Sequence, residues 1–315
     1  MRLIKNDTKI DFLGKRNIAF ALSAILILGS VISLVAHGGP NYGIDFKGGE
    51  IIQLKFVKEE PVANIRKIIS KLNIGDFNIQ EFGSKQDFLV RVSQAPEAGA
   101  GKTRSQAVQA GLHEAYGENF TVERVEMVGP KVGGDLRKKA FLALFYSLTG
   151  ILLYITLRFE LRFGVAAIVA LAHDTILTIG AFSVFDKEIT LSAVAAILTV
   201  IGYSLNDTIV VFDRIRENFK LKRGIAMAEV MNISINQTLS RTLLTSCTTL
   251  FVVMSIFFIG GEVIHDFAFA LLVGVGVGTY SSIFVASPIL LLWSDKKGLS
   301  ATAGKRKKKA KKANA

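Results

Sequence analysis

Apolar and polar positions fall along the chain in long blocks. Six blocks are apolar and nearly free of charge. Stretches 18–36, 140–157, 242–261 and 267–293 carry no charged residue. Stretch 163–185 is broken only by His173-Asp174, and 189–212 only by Asp207. At 1.5 Å of rise per residue, about 20 residues cross a hydrocarbon core of about 30 Å. One such block would fit a buried core helix. Six predict a polytopic α-helical membrane protein with six transmembrane helices. A cleavable signal has an apolar region of only about 7–15 residues. The first block is longer and runs into His37-Gly38-Gly39-Pro40, so it reads as an uncleaved anchor.

Between the first two blocks the pattern changes to short periods. Glu50–Val57 alternates as a strand. Val62, Ile65, Ile68, Ile69 and Leu72 share one helical stripe. Residues 77–92 read as two strands around a Gly83–Asp87 turn, 103–116 as a second helix and 119–128 as a last strand. Strand-helix-strand-strand-helix-strand is the order of a small ferredoxin-like α+β domain, a fold that decides no function by itself. The predicted organisation is an N-terminal segment 1–16, a first span 17–36, the α+β domain 37–136, five spans within 137–293 and a basic tail 294–315. Residues 214–240 read as an amphipathic segment feeding the fifth span, packed on the bundle or lying on the membrane.

Composition agrees with the pattern: half of the 315 residues are hydrophobic and 20% are charged. The net charge of +12 matters less than its placement. Lys and Arg gather before the first span, between the second and third, after the fourth and in the tail "KRKKKAKK". The positive-inside rule then puts both termini in the cytoplasm and the α+β domain on the far side of the membrane. Arg137-Lys138-Lys139 break the rule, at the end of a long loop where it is weak. The tail reads as a segment drawn to anionic lipid rather than as a nucleic-acid patch, with ribosome contact as a residual option. The one cysteine, Cys247, has no intramolecular disulfide partner.

Soluble chemistry has little to stand on. "GAGKT" (99–103) resembles part of a P-loop, but Pro96 stands where the motif needs glycine. "GVGVG" (274–278) lies inside a span, where glycines four apart let helices approach. The four histidines are scattered, and no metal-ligand spacing or nucleophile-base pair emerges. The informative residues are polar groups inside the spans. Asp207 lies six residues before Asp213, about 9 Å inside the cytoplasmic boundary. Tyr203 and Ser204 share its helical face, and Asn206 precedes it. Asp174 is mid-span, with His173 beside it, and Arg241 opens the fifth span with Thr245 one turn on. A charge at a helix centre costs about 2.5–3.5 kcal/mol on insertion scales, and such residues commonly mark ion routes. Helix-helix glue and a static Asp207–Arg241 pair remain open from the residues alone.

Four motifs together resemble the SecF side of the SecD/SecF family, within the resistance-nodulation-division superfamily. They are "NYGIDFKGG" (41–49, with Gly43, Asp45, Gly48 and Gly49), "AHD" (172–174), "GYSLNDTIVVFDRIREN" (202–218) and "SRTLLTSCTTL" (240–250). The likeness covers essentially the whole chain. It implies a Sec-pathway subunit of the bacterial inner membrane with its α+β domain in the periplasm, not an enzyme and without a cofactor. The implied partners are SecD (as heterodimer), the SecYEG channel, YajC and translocating preproteins, with SecA acting indirectly. The implied energy source is the proton gradient, or sodium in some members. It assigns the conducting carboxylate to Asp207, a paired arginine to Arg241, a hydroxyl to Thr245 and a further relay group to Asp174. Half of a small-molecule or lipid exporter, a non-conducting translocon scaffold and an intramembrane enzyme are the competing readings. The first usually needs larger outer domains, and the last lacks a catalytic constellation here.

Overall fold

Six helices are long and apolar enough to cross a membrane in the computed structural model, which describes residues 9–93, 103–222 and 224–296. The P-loop-like segment up to Lys102 and the tail from Lys297 lie outside the described residues. The first span is α1 (Arg16–Ala36). A short turn of helix, α2 (Ile44–Lys47), leads into the sheet domain. That domain holds β1 (Gly49–Phe56), α3 (Val62–Ile69), β2 (Phe77–Phe82), β3 (Ser84–Ser93), α4 (Arg104–Tyr116) and β4 (Phe120–Val128). The remaining spans are α5 (Pro130–Arg158), α6 (Leu161–Val184), α7 (Leu191–Leu221), α8 (Met227–Ile259) and α9 (Glu262–Ser281) continuing into α10 (Ser287–Lys296).

The sheet order is β2-β3-β1-β4, all antiparallel, which is the ferredoxin-like arrangement that the element order predicts. Alternation along the strands sends Ile52, Leu54, Phe56, Phe88, Val90 and Val92 to one face, where Ile65, Ile69, Val108 and Leu112 of the two helices cover them. The start of α4 is over-determined. Thr103 and Gln106 form a reciprocal capping box. The buried Glu50 carboxylate of β1 accepts from the Ser105 backbone N–H at 2.7 Å, where the positive end of the helix dipole favours an anion. At the other end of α4, Tyr116 donates to Glu60 Oε1 at 2.8 Å.

Three boundaries differ from the sequence reading. The domain boundary at 136 falls inside α5, because Pro130 at its first turn has no N–H to leave unsatisfied and starts the helix early. The segment 214–240 is no separate helix. Its first part continues α7 to Leu221, and its last part is the start of α8. Met227, Met231, Ile235 and Leu239 there are buried in the bundle core with Phe163, Phe212 and Ile215. The last span is interrupted by a π turn over Ser282–Ala286. Pro288 follows it; a proline ring clashes with the carbonyl four residues back, and a widened turn relieves that clash.

The span helices are unequally enclosed. Over half of the apolar window is buried in α6 and in the last span, against 6% in α5 and 17% in α1 and α8. Close packing of α7 on α9 depends on glycine. A Cβ at Gly274 would lie 2.2 Å from Val200 Cγ2, and one at Gly278 2.9 Å from Ser204 Cβ.

Candidate functional site: two carboxylates in the helix bundle

Three neighbouring helices, α6, α7 and α9, bring polar groups into the apolar bundle. Asp174 of α6 is 1% exposed. Its Oδ2 accepts from Ser204 of α7 at 2.6 Å and from Ser281 of α9 at 2.7 Å. Its Oδ1 lies 2.9 Å from His173 Nδ1. The imidazole continues outward: Nε2 is 3.1 Å from Ser23 Oγ of α1, and Ser23 is 3.2 Å from the Tyr280 hydroxyl. Tyr280 in turn donates to the Ala19 carbonyl at 2.8 Å. Four helices are thus tied through one carboxylate and its neighbour.

Asp207 of α7 is 3% exposed but differently served. Among the described residues, the hydrogen bond to its carboxylate comes from Ser246 of α8, at 3.4 Å. Thr279 of α9 lies 2.7 Å from Ser246 and completes the contact. Thr279 and Ser281, two positions apart on α9, therefore stand beside different carboxylates.

The expected partners of Asp207 make no direct hydrogen bond or ion pair with it among the described residues. Among the described residues no direct ion pair joins Asp207 to Arg241, which is exposed but near enough for its charge to act on the carboxylate. The residue of α8 that meets Asp207 is Ser246. Arg241 lies about 7.5 Å along the helix and about 140° around it from that position. Thr245 turns its hydroxyl back onto the Arg241 and Thr242 carbonyls. Ser204 serves Asp174 instead of Asp207, Tyr203 has a buried hydroxyl with no hydrogen-bond partner among the described residues, and Asn206 is exposed. Sequence reasoning missed Ser23, Ser246, Thr279, Tyr280 and Ser281. A hydroxyl in an apolar helix can always bond the carbonyl one turn back, so its sequence position does not reveal which ones reach across.

The glycine-containing motif after α1 forms a strap onto the start of α7. Ile189 donates its N–H to the Asn41 carbonyl at 2.7 Å, and Gly43 donates to the Ile189 carbonyl at 2.9 Å. Asp45 Oδ2 accepts from the Leu191 N–H at 2.8 Å and so caps α7. Gly48 has φ 78°, and a Cβ at Gly49 would lie 2.3 Å from the Val92 carbonyl oxygen. The motif therefore joins the sheet domain to the helix that carries Asp207. Among the described residues no group of three or more His, Cys, Asp or Glu side chains is placed to hold a metal.

Comparison with known proteins agrees with this architecture. Residues 108–296 match the family described as protein export membrane protein SecD/SecF, C-terminal, and residues 33–60 match the SecD/SecF GG motif. The chain is 49% identical over 302 residues to protein translocase subunit SecF of Calditerrivibrio nitroreducens, covering 93% of this chain and 96% of that one. It is 45% identical over 290 residues to protein translocase subunit SecF of Vibrio alginolyticus, covering 92% and 91%. A crystal structure of SecDF, a translocon-associated membrane protein from Thermus thermophilus, superposes with a TM-score of 0.79 at 37% identity. The alignment covers 93% of this chain but only 40% of that longer one. The matched motifs, the six spans and the single α+β domain belong together, and the chain is a member of the SecD/SecF family of protein export membrane proteins.

Proposed function

We propose that this chain is the SecF-type half of a proton-driven Sec translocase accessory unit, with Asp207 as its protonatable switch. The observation that carries the reading is the contrast within the bundle. Asp207 is as buried as Asp174 yet has one long hydrogen bond. A carboxylate held by several short hydrogen bonds has little to gain from a change of state. One held by a single long contact gains from either a proton or a cation, because an unpaired buried charge is costly.

The cycle then has two arrangements. In the one described here Asp207 rests on Ser246 and makes no direct ion pair with Arg241, whose charge is nearby. In the other, the ionised Asp207 pairs with Arg241, which requires α8 to slide or turn by about the offset between Arg241 and Ser246. A proton crossing a 100 mV potential supplies about 2.3 kcal/mol, enough to bias such a two-state shift about 50-fold. The strap from Asn41 to Asp45 passes motion of α7 to the sheet domain, which moves a bound polypeptide outward. Asp174 and His173 hold the helices together around the moving pair, and in this reading Asp174 serves as a joint instead of a relay group.

A SecD-type chain fits as the partner. Arg241 and Asn206 are exposed at membrane depth, where a polar side chain needs a neighbour to satisfy it. SecYEG, YajC and a preprotein extend the assembly, in the inner membrane with both termini cytoplasmic. The test is secretion by reconstituted vesicles with and without a proton gradient. Asp207→Asn should abolish the gradient-dependent part while the variant still co-purifies with the SecD-type partner. Normal gradient-dependent secretion by Asp207→Asn defeats the switch and favours a scaffold.

A further inference from the structure

Arg137, Lys138 and Lys139 are exposed at the outer end of α5, on the sheet-domain side. The charge bias of the other loops leaves them without a role. Two cavities meet there. One, of about 840 Å³, is lined almost wholly by apolar side chains, among them Phe46, Ala140, Phe141, Leu144, Ile179 and Ile197 of α2, α5, α6 and α7. The other, of about 650 Å³, is polar and includes His37, Asn41, Lys47, Ser183 and Asp186. Pro40, Tyr42 and Arg137 line both. The Arg137 guanidinium stacks on the Tyr42 ring, 4.4 Å from its centroid, which fixes the cation at the junction.

We propose that this paired cavity binds one phospholipid from the sheet-domain leaflet. The phosphodiester sits between Arg137 and Lys47, and an acyl chain runs into the apolar cavity. Charge complementarity selects the headgroup. Lys47 and Arg137 line the polar cavity against one carboxylate, Asp186, and Lys138 lies at the rim of the apolar one. An arginine presents paired donors to phosphate oxygens, and a lysine adds a point charge. Depth selects the tail. The cations directly precede the uncharged stretch 140–157, so they sit at headgroup level while Leu144 and Ile197 lie among acyl chains. The site touches the strap at Tyr42 and Ile189, so an occupied cavity bears on the start of α7.

The test is retention of a dioleoyl anionic phospholipid by the full-length chain in detergent, read by native mass spectrometry. Dioleoylglycerol, which has the same tails and no phosphate, and soluble glycerophosphate are the comparison ligands. Wild type should retain the phospholipid about tenfold better than dioleoylglycerol, and Lys47→Gln with Arg137→Gln should remove about that factor. Arg137→Lys should keep most of the binding. Ala140→Trp should block both lipids by filling the apolar cavity. Equal retention of both lipids by wild type overturns the headgroup assignment. Unchanged binding in the Lys47→Gln/Arg137→Gln variant overturns the site. Displacement of the lipid by equimolar glycerophosphate overturns the two-part occupant and leaves a phosphate pocket alone. A melting temperature for each variant separates misfolding from lost binding. The Arg137→Lys against Arg137→Gln comparison decides the matter if Ala140→Trp does not fold.

Discussion

Asp174 and Asp207 lie on neighbouring helices of one bundle, and both are almost fully enclosed. Asp174 has two hydroxyls within 2.7 Å and an imidazole at 2.9 Å. Asp207 has one hydroxyl at 3.4 Å. Burial is therefore the same, and only the supply of donors differs. Inside a membrane a polar group that lacks partners has no water to fall back on. The saturated carboxylate is a joint between helices. The poorly served one has the single long contact on which the proposed switch rests.

The sharpest break of this contrast is to neutralise each carboxylate in turn. Asp207→Asn should lower the gradient-dependent secretion rate about 50-fold, the bias that one proton's energy supplies, with little change in the yield of assembled complex. Asp174→Asn should do the reverse. Its amide cannot accept from three sides with both atoms, and an unsatisfied buried donor costs about 1–3 kcal/mol. Lower melting temperature and lower yield are expected, with secretion per assembled complex falling far less. If both variants lose gradient dependence while remaining equally stable, the two sites titrate together and the contrast is wrong.

A second test leaves the carboxylates untouched and moves the wall between them. Gly274→Leu should destabilise the bundle by about 1–3 kcal/mol through overpacking against Val200. Gly278→Ala is milder and more selective. Its new methyl presses on Ser204, so it should loosen the Asp174 joint while leaving the Ser246 contact of Asp207 intact. Thermal unfolding of the two variants in detergent orders them.

Single hydroxyl deletions give smaller effects. Ser204→Ala and Ser281→Ala should each cost about 0.6 kcal/mol, the average for hydrogen bonds between membrane helices, and no more than about 1.7. They should be coupled in a double-mutant cycle, since both donate to Asp174 Oδ2. Ser246→Ala should hardly change the melting temperature and should alter gradient-dependent secretion instead. A large loss of stability in Ser246→Ala would mean that Asp207 is a joint as well.

The spans and both carboxylates were legible because charge is so rare in these blocks that each exception stands out. The sheet topology was legible because the alternation of Ile52, Leu54 and Phe56 and the stripe of Ile65 and Ile69 carry the two periods plainly. The hydroxyl partners were not. Among the described residues, Ser281 reaches Asp174 while Ser255 bonds the carbonyl of Phe251 one turn back, and the sequence does not distinguish the two. Nor did the motif spacing reveal that Ser246, not Arg241, meets Asp207 in this arrangement, because helix rotation and slide are set by packing such as Gly274 on Val200. The start of α5 at Pro130 was hidden by charges that lie on a helix outside the apolar block.

The sheet domain supplies a solvent-side counterpart to the two buried carboxylates. Glu60 accepts from Tyr116 and from Asn64, both at 2.8 Å, in a place where water can replace either donor. Burial, then the hydrogen bond to Glu60 and its charge, push the Tyr116 hydroxyl from 10.0 up to about 12. A raised value means that the neutral hydroxyl is the form the folded domain favours. The pair's contribution is therefore complete below pH 10 and is lost as pH rises through about 12. In an absorbance titration of the full-length chain, Tyr116 should ionise near pH 12, and Glu60→Gln should return it part of the way toward 10, since burial remains. At neutral pH, Glu60→Gln should leave the melting temperature almost unchanged, because the amide oxygen still accepts from Tyr116 and the site is wet. A neutral-pH loss as large as that of Asp174→Asn would show that donor count, not exclusion of water, sets the worth of a carboxylate in this protein.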